Sequence, residues 1–259
     1  MNKSTLLVID IGNTSVSVGV WRDKSVTQTF FIDSNLSAAA FGVSLEDLLK
    51  KIKRNYPAIR DVIICSVVPD VTVRTERIIK RSLEKKPILI GRDLIVPIKN
   101  NYKNPKQVGQ DRLVGAYAAK ILYGYPVIII DFGTAITFDV VNARGDYDGG
   151  IIVPGIRLSA ESLFNKTALL PRIETINAPR RLIGQDTTSS ILSGLFFGYG
   201  AMSDRLIDLL CRQLNAKAKV IVTGGYTDMM QKFLRKKIHK IDKHLVFRGM
   251  DLLYQIKNS

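Results

Sequence analysis

LLVIDIGNTSVSVGVW (6–21) and VIIIDFGTAITFDVV (127–141) carry one pattern twice, aligned without a gap at an offset of 121 residues. In each, an apolar, β-branched run ends in Asp, an apolar residue and Gly. Asn or Thr follows, and then small polar and apolar residues alternate. An apolar run, a glycine turn and a period-two segment read as strand, tight turn and strand. Made twice, the unit predicts two domains of similar topology, divided near Tyr123-Gly124-Tyr125-Pro126 into 1–124 and 125–259.

The flanking signals alternate between helix and strand. Ser44 precedes Leu45, Leu48, Leu49 and Ile52 at helical spacing, with Asp47 three positions on as in a capping box. Residues 62–68 read as a buried strand, 71–86 as a helix stopped by Pro87, and 88–91 as a strand. In the second half the hairpin turns at Asn142–Gly145 into 149–155, and Ser159 opens a helical stretch. Residues 187–214 form a long helix candidate, 219–225 a strand with a glycine turn, and the remainder reads as helical. Strand-turn-strand units imply antiparallel pairs, so the class is α/β with mixed sheets flanked by helices.

With 259 residues, 46% hydrophobic and 24% charged, the chain can bury a sizeable core and is too apolar to be disordered. Cys65 and Cys211 lie far apart in apolar settings, which supports neither a disulfide framework nor a zinc cluster and favours a reducing compartment. MNKSTLLVID lacks an apolar region of signal-peptide length before Asp10, so no secretory signal is read and the cytoplasm is expected. The longest uncharged stretch, Thr187 to Ser203, opens on polar residues, carries Gly194, Gly198 and Gly200, and falls short of the ~20 apolar residues that span a bilayer. Its Gly194/Gly198 spacing reads instead as close packing of soluble helices.

The net charge of +15 raises the question of nucleic acid. Its distribution answers against a basic arm, with 20 basic and 11 acidic side chains over 1–124 and 18 and 12 over 125–259. The basic groups fall on expected helices, where a solvated face is the usual explanation. A mildly positive field that attracts small anions fits the same numbers.

A carboxylate at the end of a buried strand, followed at once by Gly and Asn or Thr, suits nucleotide phosphates. The glycine lets backbone come close, turn N–H groups and hydroxyls donate to phosphate oxygens, and Asp can hold a cation or its water shell. Two such hairpins facing one cleft would clamp a polyphosphate from both sides, although each Asp-x-Gly alone is also an ordinary turn. No Gly-Lys dipeptide exists for a Walker A loop, and no G-x-G-x-x-G for a dinucleotide site. Only His239 and His244 are present, so imidazole catalysis is not expected and a general base must be a carboxylate. Asp111, in Gly109-Gln110-Asp111-Arg112 at the start of a helical run, is the candidate; a simple cap is its alternative role. Arg112 and Tyr102 add donors suited to a small anionic substrate.

Asp10-x-Gly12-Asn13-Thr14, Tyr102, Gly109-x-Asp111-Arg112, Asp131-x-Gly133-Thr134-Ala135, Gly149-Gly150-Ile151-Ile152-x-Pro154-Gly155 and Gly184-x-x-Thr187 occur in this order. As a set they resemble type III pantothenate kinases, and the resemblance runs from residue 5 to about 255. It implies two ribonuclease-H-like domains of the acetate and sugar kinase/actin superfamily, and ATP-dependent phosphorylation of pantothenate at the start of coenzyme A synthesis. It assigns Asp10, Gly12, Asn13, Thr14, Ser15 and Ser17 to ATP phosphates, with Asp10 near magnesium, and Gly133 and Thr134 to ATP as well. Tyr102, Gly109, Gln110, Asp111, Arg112 and Thr187 would contact pantothenate. Asp111 would accept the proton, and Asp131 would hold a monovalent cation, potassium or ammonium. A homodimer with pantothenate near the subunit interface is further implied. Relatives commonly read Gly-x-Asn-Thr where this chain has Gly184-Gln185-Asp186-Thr187, an extra carboxylate beside an anionic substrate. A nucleotide-binding regulator acting on nucleic acid or a protein is the alternative from another class. A chaperone- or actin-like ATPase is disfavoured, because the chain is too short for their inserted subdomains.

Overall fold

The computed structural model describes residues 5–258. The strands are β1 (Thr5–Ile11), β2 (Ser15–Arg22), β3 (Ser25–Asp33), β4 (Ile59–Ser66), β5 (Ile88–Leu89), β6 (Val127–Phe132), β7 (Ala135–Val141), β8 (Tyr147–Pro154), β9 (Lys219–Thr223) and β10 (Lys240–Ile241). The helices are α1 (Ala38–Asn55), α2 (Pro69–Leu83), α3 (Gln110–Tyr123), α4 (Ile156–Lys166), α5 (Thr187–Gln213), α6 (Thr227–Met230) and α7 (Leu245–Lys257).

The duplication extends to topology. One sheet runs β3-β2-β1-β4-β5 and the other β8-β7-β6-β9-β10, in the same order read from the same edge. In each, three antiparallel strands are followed by parallel ones: β1 pairs β4, and β6 pairs β9. The gapless alignment is corrected at the turn. Ile11 pairs Val16 across residues 12–15, whereas Phe132 pairs Ile136 across 133–135, so the second turn is one residue shorter. Ser17 therefore corresponds to Thr137, each opposite its Asp, and not to Phe138. A one-residue slip would exchange the two faces of the strand, and burial of Val16, Val18, Ile136 and Phe138 prevents it.

The described residues form two compact units: 5–98, 103–118 and 244–258, and 99–102 with 119–243. This differs from a cut at 124 in three respects. Residues 99–102 join the second unit. The chain crosses inside α3, and its last helix returns to the first unit. In that unit Leu7, Ile9 and Ile11 face Phe41, Leu45, Leu49 and Ile52 of α1 and Val71 and Ile79 of α2. The other face of β1 meets α7, where Gly19 has no room for a side chain because a Cβ would lie 2.7 Å from both Phe247 and Val8. Asp10 is on this α7-side face, by the period of two. In the second unit Ile128, Ile130 and Phe132 face α4 and α5, leaving Asp131 on the opposite face.

Three local features differ from the sequence reading. α1 starts at Ala38 rather than beside Ser44, and its cap is Ser37, whose hydroxyl accepts the Ala40 N–H at 3.3 Å. Ser44 is interior to the helix, and Leu45 after it faces the core. The first turn of α1 is exposed alanine, so no apolar periodicity marks it before Phe41. The second is an addition: β3, unassigned from sequence, is an edge strand whose mostly exposed residues carry little apolar pattern. The third is the C-terminal stretch, which is not wholly helical because β10 adds a fifth strand beside β9.

Candidate active site

In the first unit the Asp10 turn and the Gly109–Arg112 segment come together at the C-terminal ends of β1 and β4. Asp10 is half-buried and pairs with Cys65 across the parallel ladder. The turn beyond it is closed by the Gly12 N–H, which donates to Ser15 O at 3.0 Å, and Asn13 and Thr14 at its tip are exposed. Ser17 lies opposite Asp10 on the same face. Burial pushes the Cys65 thiol up, and the Asp10 and Asp111 carboxylates add to that shift, which places both charges near one sulfur.

Asp111 lies in the first turn of α3, and its Oδ1 accepts the Arg112 N–H at 2.8 Å. A negative charge is favoured at a helix start. Gly109 is glycine for space: a Cβ there would overlap Asp111 Oδ1 and lie 3.2 Å from Val67. Gln110 packs on Gly91, whose φ of +88° is a left-handed conformation. The two expected clusters, phosphate turn and proton acceptor, are thus neighbours in one unit.

The second unit holds Tyr102, Asp131, Gly133, Thr134 and Thr187. The Asp131 turn is closed by the Gly133 N–H on Ala135 O at 3.2 Å, with Thr134 exposed at the tip. Two distant glycines fit against it. A Cβ on Gly155 would overlap Gly133 O and Thr134 O, and one on Gly224 would overlap Asp131 Oδ1. Tyr102 is not beside this turn. It rests on Gly149, five residues and about 17 Å along β8 from Pro154, which pairs with Ala135.

Thr187 is exposed at the start of α5, and Gly184 lies against that first turn, where a Cβ would overlap Ser190 N. The departure at Asp186 has a structural explanation. Asp186 is the N-cap of α5: its carboxylate accepts the Ser189 N–H at 2.8 Å and the Ser189 hydroxyl at 2.9 Å. Asn and Asp cap about equally well, so the exchange preserves the helix start. These bonds, the Ser189 N–H first, hold the Asp186 carboxyl below its ordinary range. A lowered carboxyl stabilises the fold above its unfolded value and loses that contribution as pH falls through the folded one. Asp186→Asn should therefore lie close to the wild-type Tm near neutral pH and lose less of it on acidification, as read by thermal melts across the acid range.

Among the described residues no group of three His, Cys, Asp or Glu is placed to hold a metal ion, and no helix is long and apolar enough to cross a membrane. Single carboxylates beside glycine turns still suit Mg²⁺, which is held through one or two carboxylates together with substrate phosphates.

A family model described as type III pantothenate kinase matches residues 6–209. A type III pantothenate kinase of Persephonella marina is 40% identical over 257 residues, covering 96% of this chain and 98% of the relative. Among solved structures, the ethanolamine utilization protein EutJ of Carboxydothermus hydrogenoformans superposes with a TM-score of 0.57 at 11% identity, over 95% of this chain and 89% of that one. A ROK family glucokinase of Streptomyces griseus does so with a TM-score of 0.52 at 12% identity, over 97% and 99%. These two likenesses are of fold.

Proposed function

Because the chain belongs to the type III pantothenate kinase family, we propose that it transfers the γ-phosphoryl group of ATP to the primary alcohol of pantothenate, the first step of coenzyme A synthesis. The observation that carries the reading is the Asp10 turn set beside the Asp111 segment: Asp10 pairs with Cys65 of β4, the Val67 N–H just past β4 donates to Ile11 O, and Gly109 lies against that same Val67 and Asp111.

In this mechanism Gly12, Asn13, Thr14, Ser15 and Ser17 orient the ATP phosphates through turn N–H groups and hydroxyls, and Gly133 and Thr134 serve ATP from the second turn. Asp10 would hold Mg²⁺, which neutralises phosphate charge when bound. Tyr102, Gly109, Gln110, Arg112 and Thr187 orient pantothenate. Asp111 accepts the hydroxyl proton as the oxygen bonds to the γ-phosphorus, the bond to the β–γ bridging oxygen breaks, and ADP leaves. Asp131 would hold a monovalent cation through its carboxylate, a hard oxygen donor of the kind such ions take.

A homodimer is part of the proposal. Beyond the neighbouring residues and backbone of α5 itself, a Cβ on Gly194 or Gly198 would meet nothing within 4 Å among the described residues, which leaves a small-residue surface open on the helix that carries Thr187. The cytoplasm is the proposed location.

ADP release in a coupled assay should require pantothenate. Equal release without it would replace the kinase by a simple ATPase. The cation assignment has its own check: activity should need potassium or ammonium and collapse in sodium at matched ionic strength, and equal rates would remove Asp131 from that role.

A further inference from the structure

Thr137 and Asp139 of β7 share one face of the second sheet, since residues two apart point the same way. Thr137 lies opposite Asp131. Asp139 is 3% exposed, and its carboxyl accepts hydrogen bonds from the Tyr147 hydroxyl at 2.7 Å and from the Thr137 hydroxyl at 3.0 Å. Burying a carboxyl is unfavourable unless such partners satisfy it. Tyr147 is itself fully buried, and it sits where the β7–β8 register shifts.

The main chain of Tyr147 makes a second set of bonds. Its N–H donates to Lys99 O at 2.8 Å, and its carbonyl accepts the Asn101 N–H at 2.8 Å. Residues 99–102 thereby dock on β8, which is why they belong to the second unit although their neighbours in sequence do not. The Asn101 side-chain amide donates to Asp148 at 2.8 Å, and Lys99 pairs with Asp146 at 3.3 Å. Asn100 Oδ1 accepts the Tyr102 N–H at 3.0 Å, and the Tyr102 ring lies over Gly149, 3.0 Å from where a Cβ would be.

We infer that Asp139 and Tyr147 are positioning residues for Tyr102: the buried hydrogen bond fixes Tyr147, and the backbone of Tyr147 fixes the segment that carries Tyr102. The inference rests on the reading of Tyr102 as a pantothenate contact. It adds two residues to the substrate machinery that touch no substrate themselves.

Tyr147→Phe removes one hydroxyl and keeps the ring. The pantothenate KM should rise by about 10- to 100-fold, the scale of a small misplacement, while kcat and the ATP KM stay within about twofold. Amide exchange at Asn101 and Tyr102 should quicken. In a Tyr102→Ala background the same change should add nothing to the pantothenate KM, because the two act through one contact. Additive losses, a fall in kcat with KM unchanged, or unaltered exchange at Asn101 and Tyr102 would each overturn the inference. If Tyr102→Ala alone leaves the pantothenate KM unchanged, the substrate reading of Tyr102 fails, and the exchange data alone decide whether Tyr147 holds the segment. Asp139→Asn, which keeps the shape, should repeat the pattern and serves if Tyr147→Phe does not fold.

Discussion

Asp111→Asn should lower kcat by about 10²–10⁴-fold, the usual share of a general base, which is roughly 3–5 kcal/mol of barrier. Phosphoryl transfer depends mostly on positioning and charge neutralisation, so some activity should remain. Asn keeps the size of the side chain and retains an oxygen for the Arg112 N–H, so folding should lose no more than about 1 kcal/mol. ATP binding should be nearly unchanged, since the Asp10 turn is built from β1 and β2. Steady-state kinetics and a thermal melt of the same preparation check both parts. A variant that keeps more than about a tenth of wild-type kcat would end the case for Asp111 as base.

Gly155→Ala should be nearly as damaging to activity, for a steric reason. Its φ of −74° is one that any residue adopts, so conformation does not demand glycine here. Space does, because the added methyl would overlap the carbonyl oxygens of Gly133 and Thr134. Both are main-chain atoms of a closed turn and cannot rotate away. The overpacking should cost about 1–3 kcal/mol, roughly 3–10 °C in Tm, and the displaced turn should raise the ATP KM while leaving pantothenate binding less affected. A variant with wild-type Tm and ATP KM would show that the turn accommodates the methyl and is not a rigid cradle.

The two-domain duplication was legible because its signal is local. Apolar strand, Asp-x-Gly turn and alternation are written within about 15 consecutive residues, and the turns form where the pattern places them. The shorter second turn escaped because Thr14-Ser15-Val16 and Ala135-Ile136-Thr137 both mix small, polar and β-branched residues, and only the cross-strand register separates them. β3 escaped because a mostly exposed edge strand has little apolar alternation to read. In the candidate site, Asp10 and Asp111 could each be singled out from type and local setting, and their proximity required the fold. The reasons for Gly155 and Gly224 lie against a turn at residues 131–134, and the Asp139–Tyr147–Tyr102 connection joins three separate segments, so neither could be read from spacing.

Transfer of a phosphoryl group from ATP to pantothenate is tested most directly by the mass of pantothenate recovered after incubation with the protein, ATP and Mg²⁺, alongside the ADP formed. The expected product is heavier by one phosphoryl group and forms mole for mole with ADP. Pantothenate of unchanged mass, with or without ADP release, would contradict the transfer.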